Sequence, residues 1–551
     1  MRRIASETER TGDRGRRRRS VTDRAAERIG RITVLGHRVD DTWAALRRRR
    51  VPTHWTNLFG IVTVASIVVV TVTGILLMFF YTPSSEATVY DGSYAPLHGA
   101  TVSQAFASTM RVTFDVPGGV VLRQAHHWAA LLLPAAIVVQ LAATFFTGAF
   151  RRPRRALWVL LLLALIAALA SGWSGYALPD DMLSGTGLRI VEGILLGIPV
   201  IGTWLASVLF GGPFPGRIIE NLYPLHVVVF PGALLLLVAL RALGAWQHGP
   251  PQFPGRGRTP ENVVGVALIP TAVTRAGGLF LVVTGLLLLI SATVTVSPIW
   301  LYGPADPGNA GAGSQPDWYT GFLDGALRLV PPGWEVVWLG RTWTLAILAP
   351  LAIVGAFFAF VAAYPFLEEG VTGDRGDHHL LDRPRHAPTR TGLGVAGLVF
   401  VGVLWAAGGA DIIATAFSMS IEHVITALQV ALVVGPFVAF TVARRICFGL
   451  QRKDAGLLRH GYETGRIVRL PGGEYVEIHQ PLDETERARL ATPDGAPPAD
   501  RRATGSTVGP LAQRLRQSLR SYYIGGPLEP ERAEEESGDS SREVVGPISR
   551  R

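Results

Sequence analysis

Eight long apolar runs, separated by short stretches in which the charge is concentrated, dominate this 551-residue sequence. A helix of about 20 apolar residues is long enough to cross a bilayer. In lipid the backbone can satisfy its polar groups only internally. The runs lie at about Thr56–Tyr81, Leu122–Phe150, Leu157–Leu178, Leu222–Trp246, Gly278–Pro298, Trp343–Phe366, Gly392–Phe417 and His423–Phe448. The expected fold class is an all-α polytopic membrane protein with eight transmembrane helices. Charged residues make up 17% of the chain, below the roughly 25% of soluble domains. The net charge of +10 could suggest nucleic acid, but basic clusters such as Arg47–Arg50 and Arg151–Arg155 flank the apolar runs. That placement fits anchoring against anionic lipid on the cytoplasmic side, and no nucleic-acid partner is expected.

Four segments follow from this pattern. Residues 1–50 form a basic cytoplasmic tail, ending in a surface helix near Asp40–Arg50. Residues 51–248 hold the first four runs, and residues 249–448 the last four. Residues 449–551 form a cytoplasmic extension, partly disordered, with a β-hairpin turning at Pro471–Gly473. Assigning the arginine-rich connections to one side places both termini in the cytoplasm and the chain in the cell (plasma) membrane. No cleavable leader is expected, because the first apolar run begins only near Asn57. The lone Cys447 excludes an internal disulfide and any cysteine-ligated cluster.

Chemistry enters with the histidines. His126 and His127 lie near the start of the second run, and His226 lies near the start of the fourth. Ionisable residues within a bilayer are rare and mark sites, the bland alternative being satisfied core histidines. Two histidines near one membrane face on two helices can hold a haem iron from both sides. Gly60 and Gly74 on the first run are 14 residues apart, nearly on one helix face and about 21 Å from each other. Glycines there let helices, or a flat ring, approach closely.

The motifs RQAHHW, FFTGAFRRPR, GYALPDDMLSGTGLR, QFPGRGRT, PDWY, AYPFLE and ETGRIVRLPGGEYVEIHQPL together resemble cytochrome b of the quinol–cytochrome c reductase (cytochrome bc) complexes. The resemblance covers about Trp55 to Leu482 and is to the long, single-chain actinobacterial form. It implies that the first four helices form a haem-binding bundle and that quinol is oxidised beside the haem nearer the outer face. Under it, His126 and His226 are the iron ligands of haem b, Arg123 pairs with a haem propionate, and Gly74 and Gly175 flank the ring. Asp317, Trp318 and Tyr319 belong to the quinol-oxidation tetrad, with Asp317 standing where most relatives have glutamate. The implied partners are a Rieske-type iron–sulfur subunit, a c-type cytochrome subunit, quinol (menaquinol in the resembled branch) and membrane lipid. A homodimeric complex is compatible with it.

The inner haem of that family is where this sequence departs. Its second-helix ligand falls at Gln140, its fourth-helix ligand at Leu240 or Arg241, and one clearing glycine at Leu161, although Gly60 remains. One haem is therefore expected instead of two, with Arg241 reaching polar surroundings or Gln140. Three functions stay open at this point. The first is quinol oxidation with altered electron routing. The second is a one-haem quinone-binding paralogue with a structural, assembly or sensory role. The third is solute transport, for which no charged cluster within the spans speaks.

Overall fold

The computed structural model describes residues 36–306, 308, 315–490 and 510–524. The basic tail before residue 36 and most of the distal extension lie outside the described residues. Helix α1 (Gly36–Arg48) ends in Arg47 and Arg48, which favours its C-terminal dipole. After it, Arg50–Val51 pairs antiparallel with Val266–Ala267. These segments belong to a small contact unit comprising residues up to Thr53 and Val264–Gly278. The remaining residues, His54–Val263 and Leu279 onward, form the second unit.

Among the described residues, eight helices are long and apolar enough to cross a membrane. The first is α2 (Leu58–Leu77). Its Val64, Val68, Val72 and Ile75 are exposed, whereas Ala65, Ser66 and Thr73 are buried. That stripe of i, i+4, i+8 and i+11 positions is an apolar face of the kind a membrane-spanning helix presents outward. A short helix α3 (Gln104–Phe114) is capped by the Ser103 hydroxyl, and α4 (Gly119–Phe146) runs unbroken through Pro134. Helix α5 (Arg155–Ala177) follows. Helix α2 packs along α4, and α4 meets α5.

The excursion before the fourth span contains two short helices, α6 (Met182–Leu196) and α7 (Gly202–Phe210). Asp181 starts α6 with a capping box. Its carboxylate accepts from Leu183 N at 3.2 Å and Ser184 Oγ at 2.7 Å, and Ser184 Oγ accepts from Asp181 N at 3.1 Å. Burial pushes the Asp181 carboxyl up from its usual range, and the Ser184 hydrogen bond opposes that shift. Asp181→Ala should lower stability by about 1 kcal/mol, seen as a lower thermal midpoint. Asp181→Asn, which keeps an acceptor oxygen, should lose much less.

The fourth span, α8 (Ile218–His248), packs along α5 and completes a four-helix group. Its π turn at Leu225–Val229 carries His226. Then come α9 (Val273–Thr293), α10 (Gly321–Arg328), α11 (Leu345–Thr372), α12 (Pro388–Gly408), α13 (Ala410–Ala416) and α14 (Ile421–His460). Helix α12 packs on both α10 and α14. Two C-terminal ends differ most from the sequence expectation. The seventh span stops at Gly408 and restarts as α13, because the Gly408–Gly409 pair is a weak helix former. The last helix continues to His460, where its polar sequence remains helical beyond its apolar part.

The expected hairpin is present as strands Tyr462–Arg469 and Tyr475–Gln480, with Gly473 at φ +93° in the turn. Finally α15 (Pro510–Ile524) lies against α11 and α12. There Tyr523 Oη donates to Glu368 Oε2 at 2.7 Å. Glu368 and Arg390 are both buried, and Arg390 also reaches Asp382 at 2.8 Å.

Candidate functional site

Helices α2, α4, α5 and α8 enclose a cavity of about 250 Å³ whose walls include His126, His226, Arg123, Asp317 and Tyr319. The imidazoles of His126 and His226 face one another with ring centroids 6.1 Å apart. That is the spacing needed for one metal atom bonded to a nitrogen of each ring at about 2 Å.

The hydrogen bonds fix which nitrogen of each ring is free. His226 Nδ1 lies 2.9 Å from Ser171 O, and a carbonyl can only accept, so Nδ1 carries the proton. His126 Nδ1 lies 3.0 Å from Thr73 Oγ1. The one proton of that hydroxyl is directed to Val69 O at 2.6 Å, so here too Nδ1–H donates. Both rings are held as Nδ1–H tautomers, leaving the Nε2 lone pairs for a metal, as orienting partners of metal-bound histidines do.

Two histidines are too few to hold a metal ion alone. Among the described residues, no group of three or more His, Cys, Asp or Glu side chains could do so. A macrocycle supplying the remaining ligands resolves that shortage, and the surroundings suit a haem. A Cβ at Gly74 would lie 3.0 Å from His126 Cε1, and one at Gly175 would overlap the His226 ring. These are the two glycines expected to flank the site, and they admit the imidazoles. Arg123 is buried, and its Nε has no hydrogen-bond partner. Its Nη2 donates to Ser297 O at 3.2 Å. A buried guanidinium without a carboxylate partner is costly, and an anionic propionate would relieve that cost.

Asp317 and Tyr319 line the same cavity. Tyr319 Oη donates to Asp317 Oδ2 at 2.9 Å. Burial, and then the neighbouring carboxylate, hold the Tyr319 hydroxyl well above the ordinary phenol range, so it remains a donor. Gly172 makes room for that phenol, since a Cβ there would sit 2.6 Å from Tyr319 Oη. Trp318 is placed elsewhere: its indole is 38% exposed and donates to Leu131 O at 3.3 Å. Sequence reasoning set His127 aside as facing away from the haem and missed its partner. It turns away from the cavity's other histidines and brings Nε2 within 3.1 Å of Asp317 Oδ1. The one-residue offset from His126, about 100° around a helix, was the available signal for a different direction, but not for its partner.

The positions of the second site are filled. Leu161 is 3% exposed and belongs to a packed cluster with Ile137, Leu141, Trp158, Leu234 and Tyr364. Gln140 does not reach Arg241. Its amide donates to Thr63 Oγ1 at 2.5 Å and Phe59 O at 3.3 Å. Gly60 lies beside it, where a Cβ would make only an ordinary contact of 3.8 Å with Gln140 Oε1. Leu240 is 42% exposed, and Arg241 Nε is buried without a hydrogen-bond partner.

Comparisons with known proteins identify the family. Residues 131–304 match the family model described as cytochrome b(N-terminal)/b6/petB. The cytochrome bc1 complex cytochrome b subunit of Streptomyces coelicolor is 43% identical over 87% of this chain and 89% of its own. The corresponding subunit of Mycobacterium bovis is 46% identical over 80% of each chain, and that of Corynebacterium efficiens is 40% identical over 82% of this chain and 84% of its own. Among solved structures, a hyperthermophilic respiratory Complex III shares the fold. Its TM-score is 0.53 at 18% identity, covering 73% of this chain and 94% of that one. The chain belongs to the cytochrome b family, as the membrane subunit of a cytochrome bc1 complex, a quinol–cytochrome c oxidoreductase.

Proposed function

We propose that this subunit oxidises quinol, menaquinol by preference, beside a single haem b held by His126 and His226. The observation that carries the reading is the pair of tautomer-fixed imidazoles 6.1 Å apart, with Arg123, Asp317 and Tyr319 on the same cavity. Haem supplies a one-electron acceptor when bound. The protein contributes the Nε2 lone pairs, a cation for a propionate, and a carboxylate able to take a quinol proton. Arg123 draws the anionic edge of the macrocycle, and Gly74 and Gly175 let the imidazoles seat. Asp317 is the proton acceptor, since the raised Tyr319 phenol cannot serve as a base.

A second haem finds neither ligands nor room, as Gln140 is spent on α2 and Leu161 is packed. The electron route of a two-haem chain is thus interrupted for about 21 Å, the rise of 14 helical residues. That gap favours a second reading as well, a one-haem paralogue with a structural, assembly or sensory role and no steady turnover. Under the first reading the partners are a Rieske-type iron–sulfur subunit and a c-type cytochrome, in a plasma-membrane complex compatible with a homodimer. Both termini face the cytoplasm, with the haem bundle in 51–248 and the quinol loop in 249–448.

The deciding measurement is a haemochrome count against protein mass on the purified subunit. One haem per chain is expected. Two would mean that the core around Leu161 opens to admit a ring and that the one-haem reading is wrong.

A further inference from the structure

Asp317 sits on a loop, and its carboxylate is addressed by two donors from different directions. Tyr319, two residues along the same loop, donates to Oδ2 at 2.9 Å. The other donor is His127 Nε2, at 3.1 Å from Oδ1 and 3.2 Å from Oδ2, from a residue 190 positions earlier in the chain. The loop backbone is pinned locally, Thr320 N and Oγ1 donating to Asp317 O at 3.0 and 2.9 Å. Nothing in those bonds sets the direction of the carboxylate. Tyr319 is a loop neighbour whose phenol is seated beside Gly172, so among the described residues the direct hydrogen bond from a membrane-spanning helix to the carboxylate is that from His127.

His127 follows His126 directly, and both side chains are carried by the rigid α4. One helix thereby sets the position of an iron-facing imidazole and of the carboxylate across the cavity. We infer that His127 is a positioning residue, holding the Asp317 carboxylate at the edge of the cavity where quinol gives up its proton. The inference rests on the quinol-oxidation reading and needs only the Nε2–H donor. In the step served, both quinol O–H bonds break: one proton goes to an Asp317 oxygen and the other to water at the mouth of the site. The quinol's two electrons leave to the one-electron acceptors of the oxidoreductase complex, and quinone is released. A misplacement of about 1 Å in such a constellation can cost up to roughly a hundredfold in rate.

The experiment uses the assembled complex and follows haem reduction by a short-chain naphthoquinol in stopped flow. The haem absorbance of each variant serves as the check on folding. His127→Leu should keep the haem and slow its reduction by about tenfold or more, whereas His127→Gln, with an N–H of similar reach, should recover most of the loss. His127→Asn has the same polarity but a shorter arm and should stay slow. It replaces the leucine variant if that one does not fold. Adding His127→Leu to Asp317→Asn should slow the reaction by no more than about twofold beyond Asp317→Asn alone, because residues acting through one another are not additive.

Fully multiplicative effects would show that His127 acts independently of Asp317 and overturn the inference. A slow Asp317→Asn beside a native-rate His127→Leu would overturn it alone and leave the quinol reading standing. A native rate for Asp317→Asn would remove both.

Discussion

His226→Ala is expected to yield a membrane-inserted chain with no b-type absorbance, haem occupancy falling by tenfold or more, on the order of what removal of a ligand's orienting partner already costs. The loss follows from the proposed site's economy: two imidazoles would be the whole protein contribution to the metal, so neither would be redundant. His127→Ala is the paired control. It removes an adjacent imidazole of the same helix whose Nε2 is bonded to Asp317, and it should keep most of the absorbance. Gly175→Val should behave like His226→Ala, because its side chain would occupy the space of the His226 ring. Oxidised and dithionite-reduced spectra of the purified variants decide the matter. Retained absorbance in His226→Ala would assign the iron to other ligands.

The second large effect is one of stability. Arg390 is 3% exposed and Glu368 5%. Arg390 Nε and Nη2 each donate to one oxygen of Glu368 at 3.2 Å, and Nη2 also donates to Asp382 at 2.8 Å. The Phe150 ring lies 5.6 Å from its guanidinium carbon. Removing one partner of a buried ion pair costs about 3–5 kcal/mol, since the other charge stays desolvated. Glu368→Ala should therefore lower the thermal midpoint of the detergent-solubilised protein far more than Asp181→Ala. Glu368→Gln, which keeps one acceptor, should fall between. An unchanged midpoint in Glu368→Ala would mean that Asp382 alone satisfies Arg390, or that water enters.

The helices were legible because a bilayer imposes length and hydrophobicity on every span, and those are written in each run separately. Their ends were less so. Beyond Phe448 the sequence LQRKDAGLLRH loses its apolar character but not its helical propensity, so the boundary of the oily part was mistaken for the boundary of α14. His126 and His226 could be singled out because intramembrane histidines are rare and a metal would restrict residue type and depth together. Their orienting partners, Thr73 and Ser171, are an ordinary threonine and a backbone carbonyl, which no pattern distinguishes. His127 was readable as different from His126, but its bond to Asp317 joins two elements far apart in sequence. Gln140 stood where a ligand was expected; that its amide would turn to Thr63 Oγ1 and Phe59 O depended on how α2 and α4 pack, which no local pattern records.

The contact between Tyr523 and Glu368 carries a consequence for synthesis. The hydroxyl that completes this carboxylate's shell comes from a residue 155 positions later. A ribosome has by then released all eight membrane helices into the bilayer. Until α15 arrives, the ion cluster at the ends of α11 and α12 has one donor fewer. Messages cut short, or degradation from the C-terminal end, would leave a subunit whose spans are inserted but whose polar cluster is incomplete. The intactness of the polypeptide is in this way recorded at a point deep in its fold.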